Sequence, residues 1–250
     1  MGKAYIGCSG YLYPHWRDGV FYPKDLKQKD EFTYYASVFN TVELNNTFYY
    51  QPKESVWDSW EKRAPEEFIY AAKVNRFFTH IKKLNDPEDC WKQFYVGAKK
   101  LHEHLGPILF QLPPSLHKSI EKFEGLAKVL PRNLRFAFEF RHISWFDEEI
   151  YDLLRKNNWA LTIVSHPDLP FIPQITADFT YLRFHGKEAL YSSLYSDGEL
   201  KQFAKLILDW LKKGLDVYTY FNNDIGGFAP KNAIKLINLI SKSESLENFV

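Results

Sequence analysis

The chain has 250 residues, with 32 Lys+Arg against 31 Asp+Glu, 45% hydrophobic and 25% charged residues. That length and balance exclude a disordered chain and leave one large domain or two small ones. A formal net charge of +1 argues against bulk binding to nucleic acid or to a membrane surface, because neutralising phosphates needs a cationic excess.

In chain order, the first strand is expected over 4–8, followed by a long loop over 9–23. Phe32, Tyr35, Ala36 and Phe39 recur at helical spacing, and after Asn40 a strand is expected over 41–45. A loop over 46–54 precedes a strand over 68–75, and a second loop covers 76–85. Asp86-Pro87 reads as N-cap and first residue of a helix carrying Trp91, Phe94, Ala98, Leu101 and Leu105, with Gly106 at its end. A strand over 106–112 leads to a helix with Ile120, Phe123, Ala127 and Leu130, stopped by Pro131. Next come a strand over 134–141, a helix marked by Ile150, Leu153 and Leu154, and a strand over 159–165. The stretch 165–178 holds Pro167, Pro170 and Pro173 and has no helical period, so an irregular crossover is expected there. A strand over 179–185 and a loop over 186–196 precede a helix with Phe203, Leu206, Ile207, Trp210 and Leu211, behind a capping-box pattern of Ser196 and Glu199. The last strand is expected over 215–222 and the last helix around Ala233, Leu236, Ile237 and Ile240.

Eight strands alternating with helices predict parallel βαβ units. The fold expected is a single (β/α)8 TIM-barrel-like domain over residues 1–250, with eight parallel strands and about seven helices. Helix-to-strand connections are tight, at 40, 131–133, 157–158 and 213–214, whereas the strand-to-helix loops are long. In a parallel barrel those long loops share the C-terminal face, where such folds carry their sites. A doubly wound sheet is the alternative, although no glycine-rich phosphate loop follows the first strand.

Strands buried on both faces have little use for polar residues, so those near their C-terminal ends are informative. Period-two alternation sends Phe136, Phe138 and Phe140 to one face and Ala137, Glu139 and Arg141 to the other. The same rule turns Arg183 and His185 inward opposite Leu182 and Phe184, pairs Glu43 with Asn45, pairs Lys73 with Asn75, and places Gln111 between Phe110 and Leu112. Asn222 and Asn223 stand at the tip of the last strand, and alternation does not decide between them. One reading is a structural plug in which Glu43 and Glu139 pair with Lys73, Arg141 and Arg183. Convergence from six strands favours a pocket. Two carboxylates suit acid/base or nucleophile roles in glycoside cleavage, the cations suit a phosphate or carboxylate, and His185 suits a general base.

Other features point less far. Cys8 and Cys90 form no disulfide framework, and Cys8 reads as a small buried hydrophobe. Glu43, Glu139, His142, His185 and Asp224 offer oxygen and nitrogen ligands, but their spacing matches no metal motif, so no metal or other cofactor is predicted. Gly226-Gly227 could cradle a phosphate or simply make a turn. With no apolar run of 18 residues and no signal-like N-terminus, a soluble cytoplasmic protein is expected.

Several longer motifs resemble domain-of-unknown-function family 72 (YecE-like). They are Phe21-Tyr22-Pro23, Tyr35-Ala36 with Phe39, the run Thr41-Val42-Glu43-Leu44-Asn45-Asn46-Thr47-Phe48-Tyr49, and Pro52. Lys73 with Thr79-His80, Gln111-Leu112-Pro113-Pro114, Glu139-Phe140-Arg141-His142 with Ser144-Trp145, Arg183-Phe184-His185-Gly186 and Phe221-Asn222-Asn223 continue the pattern. The resemblance spans about residues 4–240, and departs from the family at Tyr11, where a Trp is usual. It implies a TIM-barrel-like fold and no particular reaction.

The sequence therefore points to an enzyme of hydrolase, isomerase or lyase type. Its substrate is expected to be small, anionic or sugar-containing, such as a sugar phosphate or nucleotide fragment. Glu43, Glu139 and His185 are the catalytic candidates; Asn45, Lys73, Gln111, Arg141, His142, Arg183, Asn222 and Asn223 are the substrate-binding candidates. The alternative is a non-catalytic module for a metabolite or a single-stranded nucleic-acid end. Aromatics make up 18% of the chain. Some belong between strands and helices, whereas Tyr11, Tyr13, Trp16, Phe21, Tyr22, Phe48, Tyr49, Tyr50 and Trp145 fall in or beside the strand-to-helix loops. These either fold the loops back or stack on a ligand.

Overall fold

Eight strands alternate with helices along the chain: β1 (Ala4–Cys8), β2 (Thr41–Leu44), β3 (Ile69–Lys73), β4 (Leu105–Gln111), β5 (Phe136–Glu139), β6 (Trp159–Ser165), β7 (Phe179–Phe184) and β8 (Asp216–Phe221). The structure is a computed structural model and describes residues 1–186, 191 and 193–247, with side chains through 243. Part of the expected 186–196 loop, at 187–190 and 192, lies outside the described residues. The hydrogen-bonded strand order is β1-β8-β7-β6-β5-β4-β3-β2, and each described pairing is parallel. This is the succession of an α/β TIM-barrel-like fold.

Seven helices of eight or more residues occur among the described residues: α1 (Glu31–Val38), α3 (Glu54–Arg63), α4 (Pro87–Ala98), α5 (Ile120–Val129), α6 (Glu148–Asn157), α7 (Asp197–Lys212) and α8 (Phe228–Glu247). A four-residue α2 (Asn46–Tyr49) follows β2, and a single π-helical turn spans Phe77–Ile81. The proline-rich stretch after β6 carries no helix, as its missing period predicts. The capping box also forms: Glu199 N donates to Ser196 Oγ at 3.3 Å and Ser196 N to Glu199 Oε2 at 2.9 Å.

Chain contacts gather into two compact units. The first comprises Met1–Val42, Val164–Phe171 and Phe179–Val250, and the second Glu43–Ile163 with Ile172–Asp178. In the second, the β5 phenylalanines face helices as alternation requires. Phe138 lies 4.9 Å from Phe123 of α5 and stacks on Phe110 at 5.1 Å, and Phe136 meets Trp91 of α4 at 5.5 Å. Each such buried ring stabilises the fold by about 1.5–3 kcal/mol. In the first unit, Phe184 packs against Phe203 of α7 at 4.6 Å and stacks on Phe221 at 4.5 Å.

Some local expectations need correction. The helix after Asp86 ends at Ala98, a 3-10 segment covers Lys99–His104, and Leu105 and Gly106 already belong to β4. Asp86 does not cap that helix with its side chain; its φ is +50° and its carboxylate takes Lys82 Nζ at 2.8 Å instead. Periodicity also passed over α3, whose buried side consists of Trp57 and Trp60, ring centroids 5.1 Å apart, in a helix otherwise made mostly of charged residues and serines. Glycine stands at position 97 because a Cβ there would meet Trp57 Nε1 at 2.3 Å.

The loop aromatics divide. Tyr11, Trp16, Tyr22 and Trp145 are buried, and the polar tips of Trp16, Tyr22 and Trp145 hold loops in place. Trp16 Nε1 donates to Asp224 O at 2.9 Å, Tyr22 Oη to Tyr11 O at 2.5 Å, and Trp145 Nε1 to Leu116 O at 2.6 Å. Tyr49 and Tyr50 remain exposed.

Candidate functional site

Within the second unit, four consecutive strands carry a charged or amide side chain at or next to their C-terminal end. Glu43 stands on β2, Lys73 ends β3, Gln111 ends β4 and Glu139 ends β5. Parallel register sets Gln111 beside Glu139, and Lys73 beside Leu109. Lys73 Nζ donates to Gln111 Oε1 at 2.7 Å and lies 4.2 Å from the centre of the Phe48 ring. Lys73 is buried, and an amide and an aromatic face are among the neighbours of its ammonium. The loop geometry that brings Phe48 there depends on Thr47, whose hydroxyl lies 2.7 Å from Leu44 O and 2.6 Å from Lys73 O and donates to one of them at a time.

Just beyond β5, Arg141 Nε donates to Glu139 Oε1 at 2.5 Å, and its Nη2 reaches the same oxygen. Glu139 is fully buried and Arg141 mostly so. The carboxylate is thus a compensated buried charge. Glu43 is also fully buried, and Asn45 half-buried at the start of α2.

Positive charge accumulates around His80. Burial, and then Lys73, Arg76 and Arg141, lower its pKa from the usual 6.5 to about 4. The imidazole sits edge-on to Phe48 at 4.9 Å and its Nδ1 is 2.9 Å from Thr79 Oγ1. Asn75 shapes this turn: its Oδ1 accepts from Phe78 N at 3.0 Å, and its O lies 3.2 Å from Thr79 Oγ1. Strand-end alternation missed His80 because it lies in the turn after β3; the Lys73 with Thr79-His80 motif was the available signal.

His142 caps the 3-10 turn Ile143–Trp145, with Nδ1 accepting from Ser144 N at 3.2 Å, and stacks on His117 at 3.8 Å between ring centres. Ser144 Oγ accepts from Lys118 N at 2.8 Å, which ties the loop after β4 to the loop after β5.

A separate polar cluster belongs to the first unit. Arg183 is the largest fully buried cation; its Nη1 lies 3.4 Å from His185 Nε2, while Asn222 Nδ2 lies 3.1 Å from His185 Nδ1. A neutral imidazole accepts at only one nitrogen. Turning the Asn222 amide so that Oδ1 accepts from Nδ1–H reconciles the pair and leaves Nε2 to accept from Arg183. Asn223 points elsewhere: its Nδ2 donates to Ser193 O at 2.9 Å and to Asn232 Oδ1 at 3.0 Å, and Asn232 in turn brackets Tyr195 N and O, each at 3.2 Å. The two adjacent asparagines therefore differ in use.

Ser165 and Tyr195 join this cluster through a 2.8 Å hydroxyl bond. Burial raises Tyr195 to about 12, against the lowering effect of Ser165 and the Gly186 amide. Ser165 is the polar residue that ends β6, the same strand-end signal that marks Gln111 and Glu139.

Cys8 is fully buried and burial raises its thiol well above the ordinary value, so it is no ready nucleophile. Gly226 and Gly227 have φ of +68° and +69°, and Val20 Cγ1 stands 2.4 Å from where a Gly227 Cβ would be. Turn geometry and that contact account for both glycines. Among the described residues, no three His, Cys, Asp or Glu side chains converge to hold a metal ion, and no helix is long and apolar enough to cross a membrane.

The chain is similar to proteins from several bacteria. A crystal structure of a DUF72 family protein from Thermotoga maritima superposes with a TM-score of 0.86 at 32% identity, covering 96% of this chain and 99% of that one. A DUF72 family structure from Enterococcus faecalis gives 0.81 at 22% identity over 95% of each chain, and shares the fold. UPF0759 protein YunF of Bacillus subtilis is 27% identical over 270 residues, covering 94% of both chains. UPF0759 protein YecE of Escherichia coli is 26% identical over 144 residues, half of its length. The family model described as "Protein of unknown function DUF72" matches residues 5–248, through both compact units, and the chain belongs to that family.

Proposed function

We propose that the protein is an enzyme acting on a small anionic or sugar-containing substrate by carboxylate acid/base chemistry. The observation that supports this most is the row Lys73, Gln111, Glu139 and Arg141 at or just beyond adjacent strand ends, with Lys73 bonded to Gln111 at 2.7 Å, Arg141 to Glu139 at 2.5 Å, and Gln111 beside Glu139 in register. Charges buried in this way are costly to retain for stability alone, because apolar residues of similar size would serve as well. In this reading Lys73 and Arg141 hold an anionic group and Gln111 fixes Lys73. Asn45 and the Nε2 edge of His142 orient the substrate. Glu139, paired with the Arg141 guanidinium, is the base or nucleophile, and Glu43 is the acid partner.

In the first unit His185, fixed by its two neighbours, is assigned as the further general base, and Arg183 and Asn222 are assigned a substrate-binding role. Asn223 supports that cluster through Asn232. The cytoplasm is the compartment this reading favours, since Cys8 and Cys90 are both free thiols.

The test is a turnover screen against phosphorylated sugars, nucleotides and glycosides with the wild type and Glu139→Gln. Turnover that Glu139→Gln abolishes, with binding kept, supports catalysis. Binding without turnover in the wild type favours a non-catalytic metabolite module, and turnover unaffected by Glu139→Gln overturns the assignment.

A further inference from the structure

Two short segments next to Lys73 expose apolar rings and side chains. Tyr49 is 70% exposed and Tyr50 58%, at the end of α2; Phe77 is 42% and Ile81 62% exposed, on the π-helical turn after β3. The two segments touch through Phe48 and His80, whose rings are 4.9 Å apart, and Tyr49 meets Phe48 edge-on at 5.3 Å. Phe48 in turn carries the Lys73 ammonium. An exposed aromatic face therefore stands one ring beyond a buried cation. The sequence of the turn, Arg76-Phe77-Phe78-Thr79-His80-Ile81-Lys82-Lys83, interleaves cations with apolar residues, Lys82 being paired with Asp86 just beyond it. π-helical turns are rare and concentrate at functional sites.

Exposed rings beside concentrated positive charge suit a ligand that is planar and apolar at one end and anionic at the other. A sugar phosphate satisfies only the anionic half. Resting on the reading of Lys73 as an anion site, we infer that this surface binds a nucleoside 5′-phosphate, the phosphate at Lys73 and the base against Tyr49, Tyr50 and Phe77. Stacking on an aromatic side chain tolerates any base, so the surface selects the class rather than a particular nucleotide. The same chemistry occurs in a free nucleotide and at the 5′-phosphorylated end of a single strand. The balanced net charge argues only against long duplexes, which need many phosphate contacts.

The test is calorimetric titration of the full chain with adenosine 5′-monophosphate, ribose 5-phosphate, adenosine and a 5′-phosphorylated single-stranded tetranucleotide. The inference expects the monophosphate to bind at least about tenfold more tightly than either ribose 5-phosphate or adenosine. Tyr49→Ala should weaken the monophosphate by about tenfold and leave ribose 5-phosphate unchanged, while Tyr49→Phe, which keeps the ring, should behave as wild type. Tyr49 is exposed, so these variants test recognition without endangering the core. Tighter binding of the tetranucleotide than of the monophosphate assigns the site to a strand end; equal or weaker binding assigns it to the free nucleotide. Equal affinity for the monophosphate and ribose 5-phosphate overturns the inference and leaves the anion site standing. Failure of every phosphorylated probe to bind overturns the anion site as well.

Discussion

Lys73 of β3 and Gln111 of β4 meet through a 2.7 Å bond between Nζ and Oε1, at the ends of two adjacent parallel strands. Gln111 contributes a neutral amide to the buried ammonium, where a carboxylate at the same place would add a negative charge. Gln111→Glu is therefore expected to keep the fold and to weaken phosphate binding at least about tenfold, since one charge-assisted bond contributes about 1.5–3 kcal/mol. Calorimetry with inorganic phosphate checks this; affinity equal to wild type would remove Lys73 from the anion site.

The Arg141–Glu139 pair gives a stability prediction. Glu139 is fully buried, whereas the Arg141 side chain is 12% exposed. Arg141→Leu leaves the carboxylate without its guanidinium and is expected to cost about 3–5 kcal/mol. Glu139→Gln removes the buried charge itself and should cost less. Urea unfolding of both variants decides; the reverse order would show that the carboxylate is compensated mainly by other groups.

His80 reports on the local field. Its pKa is lowered to about 4 in the folded chain, against 6.5 without the fold. Between those values the unfolded chain binds a proton that the folded one does not, so this residue's contribution makes stability rise with pH across that window and is lost as pH falls through it. Proton NMR titration should place the His80 midpoint near 4, moving upward when phosphate binds or when Lys73 is replaced by Met. A midpoint near 6.5, insensitive to phosphate, would mean that Lys73, Arg76 and Arg141 do not act on His80.

The two asparagines after β8 separate binding from structure. Asn223→Ala deprives Asn232 Oδ1 and Ser193 O of a donor in a buried network, at an expected cost of about 1–3 kcal/mol. Asn222→Ala should cost less and release His185 Nδ1, which nitrogen-15 NMR would register as a change of imidazole tautomer. Equal melting temperatures for the two variants would contradict the division.

The strands were legible in sequence because alternation is rigid. Phe136, Phe138 and Phe184 pack toward helices as period two requires, and the capping box at Ser196 marks the start of α7. Helix α3 was not, because Trp57 and Trp60 alone mark its buried side. Lys73, Gln111 and Glu139 could be named from their strand positions, but the Phe48 ring beneath Lys73 and the charge around His80 arise from loops folding through space. Burial of Trp16 and Trp145 was equally hidden: each is satisfied by a carbonyl far away in sequence, Asp224 O and Leu116 O.

The account stands most directly on anion binding at Lys73. Titration of wild type and Lys73→Met with inorganic phosphate, with circular dichroism confirming that both fold, should give saturable binding to the wild type and a loss of at least about tenfold in the variant. A folded wild type that shows no saturable phosphate binding, or a Lys73→Met chain that binds equally well, would contradict it.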